Sequence, residues 1–196
     1  MQIHALWHYP VKGFGGSQLD KAALTAGGYF PNDRQFALSI GGDKTKNASP
    51  GTWFQKAHFL QLMSHEAMAD YHCRFTSDAQ PQRLMLFHHR NLCLSIDPAK
   101  PNDCRRFRIN IIISADNAFA ETRFIGQKLR CGDALLLVKK PVGRCAAINV
   151  DPDTAQRNPN DYVRFMRAHF GHSNLGIFAE VINGGTIKPG DRLVPA

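Results

Sequence analysis

Nowhere in its 196 residues does the chain carry a run of about 18 apolar residues, so no helical membrane span is encoded. Its first stretch, MQIHALWHYPVKGF, lacks both a basic segment and a continuous apolar one. That argues against a secretory leader and for a cytoplasmic protein with no membrane partner. No C-x-x-C pair occurs, and the five cysteines (Cys73, Cys93, Cys104, Cys131 and Cys145) are odd in number. This pattern excludes a disulfide framework and a four-thiolate zinc site. His88–His89 and the His169/His172 pair lack the matching soft ligands that zinc requires. Internal repeats and low-complexity segments are absent too.

Acid is the scarcer charge: 16 Asp and Glu stand against 24 Lys and Arg, a net +8. The basic residues are spread along the chain, with local clusters at Cys104–Arg108 and Lys139–Lys140. A nucleic-acid interface calls for a concentrated stripe or a recognisable module, and neither is present. A pocket where a few cations converge on a small phosphorylated anion accounts for the excess better.

What is there reads mainly as short strands. IHALWHY alternates, and DRQFALSI, YHCRFTS, RLMLFHH and NLCLSI are bounded by turn residues. Residues 97–106, DPAKPNDCRR, combine two prolines with polar residues and form the best linker. FRINIII follows as a β-branched strand, with alternation placing Arg108 and Asn110 on one face. PNDYVRFMRAHFG is the clearest helix, with an apolar stripe at Tyr162, Val163, Phe165, Met166 and Phe170 and Gly171 as its stop. The fold class expected is mostly β (α+β), built as a small sandwich or barrel with few helices.

PVGRCAAINVDPDT, residues 141–154, sets Cys145 between Arg144 and an acidic turn. On these residues alone the thiol is packing, half of a disulfide, a nucleophile or a metal ligand.

The order RFRINIII, FAETRFIGQKLRCGDALLLV, PVGRCAAINVDPDT and GGTIKPGDRL resembles the MOSC domain of molybdenum-cofactor proteins. YPVKG, NDRQFAL and WFQKAHFLQLM resemble the β-barrel domain that precedes it. The resemblance implies a barrel-like part at 1–96, a shortened linker at 97–106 and a partial MOSC domain at 107–196. It implies that Cys145 is a thiolate ligand to molybdenum and hence the catalytic position, with Arg144 favouring the thiolate. Lys12, Gly13, Arg34, Lys56, Arg108 and Asn110 map onto positions that hold the cofactor. Gly13 stands where relatives often have serine.

The nearest relatives in kind, bacterial MOSC proteins and the mitochondrial amidoxime-reducing component, imply a molybdenum-dependent reductase of N-hydroxylated compounds. Pyridoxal phosphate binding is a further association of the family. Because GDRLVPA is not followed by an iron–sulfur segment, the expected electron donor is a separate ferredoxin or flavoprotein. The alternative is a non-catalytic pterin-binding or sulfur-carrier protein that holds a persulfide on Cys145. The linker is also expected to leave one wall of the cofactor pocket thin.

Overall fold

The computed structural model describes residues 1–42, 45, 52, 54–61, 64–65, 67–68, 71–75, 84–88, 104–115, 117–159 and 161–196. For 71–75 and 84–88 only the backbone is described. Most of the 97–106 linker, and the NLCLSI strand, lie outside these residues.

The described chain is mostly β, as the short alternating runs imply. Its strands are β1 (Gln2–His8), β2 (Ser17–Leu19), β3 (Ala22–Leu24), β4 (Tyr71–Phe75), β5 (Leu84–His88) and β6 (Ile111–Ser114). They continue with β7 (Lys128–Cys131), β8 (Ala134–Gly143), β9 (Asn174–Asn183), β10 (Gly185–Ile187) and β11 (Leu193–Pro195). Four sheets result, ordered β2-β1-β6, β10-β3, β11-β7-β8-β9 and β4-β5, with antiparallel pairing throughout. Among the described residues none closes into a barrel.

Side-chain alternation fixes the largest sheet. Leu129 and Cys131 on β7, and Ala134, Leu136 and Val138 on β8, point inward, while Lys128, Arg130, Lys139 and Lys140 face out. The core they build is shared. Ile3, Leu6, Ala22 and Leu24 from the first strands pack with Phe124, Leu129, Leu136, Val181 and Ile187.

Pairing also crosses the linker, since β1 joins β6 and β3 joins β10. Between β9 and β10 the chain passes from one sheet to another at Gly184–Gly185. A Cβ at Gly184 would lie 2.6 Å from the Leu24 carbonyl oxygen, and one at Gly185 would lie 2.5 Å from the Asp133 carbonyl carbon. Only glycine lets the backbones approach this closely.

The helix α1 spans Tyr162–Phe170. Asp161 caps it by accepting from the Val163 and Arg164 amides. Gly171, at φ 74, ends it with its amide donating to Arg167 O. The apolar stripe is only partly packed, however. Met166 is buried, but Phe165 and Phe170 are 51% and 49% exposed.

FRINIII also departs from its expected form. Cys104–Phe107 is a 3-10 turn, Arg108 has φ 50, and the strand begins at Ile111. The alternation argument for Arg108 and Asn110 therefore fails. The β-branched run pulls only its own residues into the sheet, while the Arg108 amide closes a turn onto Arg105 O at 3.0 Å.

Candidate functional site

After β1 the chain runs through buried Tyr9, Pro10 and Val11 and then turns at Gly13. Val11 bridges Phe36, and the Lys12 amide donates to Phe36 O at 2.8 Å, which holds the residues around Arg34 alongside. Two further bonds lock that contact. The Tyr9 amide donates to Asp33 Oδ1 at 2.7 Å, and the Arg34 amide donates to Tyr9 O at 2.8 Å.

Arg34 (φ 52) and Arg108 (φ 50) both adopt the left-handed region that non-glycine residues avoid. Such strain persists only where surrounding structure enforces it, and it gathers at functional sites. Arg34 Nη2 donates to Arg108 O at 3.0 Å. The Arg108 guanidinium donates to Phe14 O and lies 4.4 Å from the centre of the Tyr9 ring, with Arg34 at 5.9 Å from the same ring. A buried phenol thus carries two cations. Its hydroxyl is buried without a hydrogen-bond partner, and burial raises its pKa well above the tyrosine range.

The opposite wall begins where β8 ends. The Arg144 amide donates to Ser173 O at 2.8 Å; its Nε reaches Leu175 O and its Nη1 reaches Phe107 O, each at 2.8 Å. The partners of this half-buried guanidinium are the carbonyls of Leu175 and Phe107, and among the described residues no carboxylate pairs with it. Burial and then the like charge of Arg34 lower its pKa to about 10, which leaves it a full cation at neutral pH.

Cys145 follows, its thiol exposed, at the head of the 3-10 turn Ala146–Asn149. Arg106 clamps that turn from beneath. It donates to Ile148 O at 3.3 Å and Val150 O at 3.2 Å, and pairs with Asp151 at 3.3 Å. Arg105 holds Asp153 through two bonds, of 2.9 and 2.6 Å. Asp151 in turn accepts the amides of Asp153 and Thr154.

These walls enclose a cavity of about 730 Å³. Lys12, Arg34, Arg105, Arg106, Arg108 and Arg144 line it, together with Gly13 and Cys145, and no Asp or Glu lines it among the described residues. Of the eight positions singled out in the sequence, six therefore meet on one cavity. Asn110 does not join them, because it donates to Trp7 O at 3.1 Å and ties the chain to β1. Lys56 lies in the 3-10 turn Lys56–His58, and its side chain is outside what the structure describes.

Tyr9, Arg105, Arg106 and the aspartates at 151 and 153 were not foreseen as site residues. Their only signal was the basic cluster at 104–108 and the acidic turn after Cys145, which prove to be the two halves of one clamp.

Gly13 has φ 86, and a Cβ there would lie 2.7 Å from Leu60 O. Gly13→Ser therefore restores no cofactor contact at this backbone geometry. A left-handed L-residue costs roughly 1–2 kcal/mol before that clash is counted. The melting temperature is expected to fall by at least about 2–4 °C, which thermal denaturation will read.

Comparison with known proteins agrees with this architecture. Residues 1–86 match the MOSC N-terminal beta barrel domain, and residues 85–194 match the MOSC domain. The chain is 38% identical over 73 residues to a molybdenum cofactor sulfurase of Drosophila grimshawi, covering 37% of this chain and 9% of that protein. The sulfurase of Drosophila ananassae is 31% identical over 107 residues, or 54% of this chain and 14% of that one. The chain thus spans a small fraction of these relatives' length.

The crystal structure of the YUAD protein from Bacillus subtilis shares the fold, with a TM-score of 0.50 and 17% identity over 98% of this chain and 93% of that one. On the match across 85–194, which takes in Arg108, Arg144 and Cys145, this chain belongs to the MOSC domain family.

Proposed function

We propose that the cavity binds the molybdenum cofactor and that the protein is an oxidoreductase acting on N-hydroxylated compounds. The observation that carries this reading is an exposed thiol, Cys145, in a cavity whose described lining holds six cations, three of which (Arg34, Arg105 and Arg106) have carboxylate partners set outside that lining. That donor set fits the cofactor. A pterin dithiolene ending in a phosphate presents a dianion to arginine and a soft metal to sulfur. The half-buried charge of Arg144 supports it further, since a buried cation without an acid is costly until an anion arrives.

In this reading Cys145 is the metal ligand, with the Arg144 cation next to it in the chain. Lys12, Arg34 and Arg108 hold the phosphate, and Arg105 and Arg106 fix the turn that aims Cys145. When bound, the cofactor supplies a two-electron centre that takes oxygen from the substrate nitrogen and releases it as water. The overall change is R–NHOH + 2 e⁻ + 2 H⁺ → R–NH₂ + H₂O, with electrons from a separate redox protein. The protein's part is to bind, orient and tune.

Pyridoxal phosphate fits less well, because it needs a lysine amine. The lysine on the described wall, Lys12, sets its ammonium 4.4 Å from the centre of the Phe59 ring, and no step is routed through that cofactor.

A second reading is favoured by the openness of the same thiol and by the sulfurase name of the curated relatives: Cys145 carries a persulfide and the protein delivers sulfur. Protein purified from a cofactor-competent host separates the two. Near-stoichiometric molybdenum and pterin support the reductase, whereas no molybdenum and a labile sulfur on Cys145 support the carrier.

The cationic wall makes its own prediction. Arg34 is exposed, and besides its local pair with Asp33 it holds Arg108 O, so Arg34→Ala should lower pterin content with a small fall in melting temperature. Arg108→Ala also frees the Phe14 carbonyl, so both quantities should fall. Lysine at either position should restore retention only in part, because the bidentate fork is lost. Unchanged pterin in both alanine variants would remove these arginines from the site.

A further inference from the structure

α1 and the residues after it leave an aromatic surface in solvent. Phe165 stacks on His169 with ring centres 4.0 Å apart, and Phe170 meets Phe119 at 5.0 Å. His172 lies 5.2 Å from Phe119. Two of these phenylalanines are half exposed, and Phe119 is held at φ 60, a strained conformation for an aromatic residue.

The surface is also basic. Arg164 and Arg167 are exposed on the same helix, which contains no acid between residues 162 and 170. Asp161 caps the helix and interacts with Arg164, and Glu121 accepts the Gly176 amide.

This surface adjoins the thiol. His172 precedes Ser173, whose carbonyl accepts the Arg144 amide at 2.8 Å, and Cys145 is the next residue. At the helix start, Asn149 of the Cys145 turn donates to Asp161 and accepts from the Tyr162 amide. A partner seated here would stand one hydrogen bond and a few covalent bonds from Cys145.

We infer that this face of α1 with His172 is the docking surface for the electron donor, an acidic one-electron carrier protein. The inference rests on the reductase reading above. Exposed aromatics give such a contact its anchors, and the two arginines select an acidic partner and speed its arrival. Each turnover consumes two electrons, so a one-electron carrier must dock twice and leave between. A contact of modest size with a charged rim suits that traffic better than a large apolar one.

The test uses a plant-type [2Fe–2S] ferredoxin as probe at about 20 mM ionic strength, where surface charge is least screened. Calorimetry reads its Kd. In parallel, the loaded protein reduces an amidoxime with either reduced ferredoxin or dithionite. The Arg164→Glu/Arg167→Glu double variant and Phe170→Ser should each weaken ferredoxin binding by at least about tenfold. Their dithionite-driven turnover should be unchanged, and Lys21→Glu, outside the patch, should bind like the native protein. If Phe170→Ser lowers stability, the exposed arginine pair decides.

Absence of ferredoxin binding to the native protein, or equal binding by the double variant, overturns the docking surface. Helix-dependent binding without dithionite-driven turnover upholds the surface and removes the reductase reading instead.

Discussion

Cys145→Ser is expected to remove molybdenum-dependent turnover while leaving the protein folded. Loss of a residue that merely orients a metal ligand commonly costs about 10–100-fold. Removing the ligand itself should therefore cost more than about a hundredfold. The fold should tolerate the change because Cys145 is exposed and belongs to none of the described core clusters. Serine fits the space but offers a hard, weakly acidic oxygen to a metal that prefers sulfur. Activity measured per molybdenum, beside an unchanged melting curve, is the deciding pair. Equal turnover would exclude Cys145 as a ligand. Buried Cys131 gives the contrast, since serine there should lower stability through the core while sparing turnover per metal.

Arg106→Ala is expected to be the most destabilising change at the site. This arginine is 9% exposed and holds Ile148 O, Val150 O and the Asp151 carboxylate. Removing it strands two buried carbonyls and unpairs the acid. Breaking a buried pair from one side costs about 3–5 kcal/mol. The lower end applies here, because Asp151 is itself 38% exposed and retains water. For a chain of this size about 3 kcal/mol corresponds to a melting temperature lower by about 6–12 °C. The turn carrying Cys145 should loosen as well, so cofactor retention should fall even where the protein still folds. A melting shift under about 2 °C would show that the clamp is dispensable.

How much of this could be read beforehand depends on how local each signal is. α1 announced itself because its apolar stripe and its stop both lie within ten residues, Tyr162 to Gly171. β1 was legible for a similar reason, since the alternation of IHALWHY lies within a single strand. Cys145, Arg144, Lys12, Gly13, Arg34 and Arg108 were found through the order of motifs rather than through any spacing among them.

The Arg106 clamp was invisible because its partners lie more than forty residues away and the residue itself read as the end of a linker. A β-branched run such as INIII dominates any local reading, yet the preceding turn is decided by hydrogen bonds from Arg34 and Arg144 to the carbonyls of Arg108 and Phe107. Asn110 sits in the motif RFRINIII, but the same turn sends it to Trp7. Nor could the bare alternation of Phe165 and Phe170 show that nothing among the described residues covers them.

The weaving of the first strands through the last ones has a consequence for synthesis. β3 leaves the ribosome about 160 residues before β10, its partner, which is about 8–30 s at ordinary elongation rates. Throughout that interval Ala22 and Leu24, and Ile3 and Leu6 on β1, have only part of the core they will enter. Closing loops this long is slow, because chain entropy is spent before any pairing repays it. The nascent chain thus exposes sticky, unmatched strand edges for much of its production. Slow elongation or a low growth temperature should therefore decide the yield of soluble protein more than any single side chain in the cavity does.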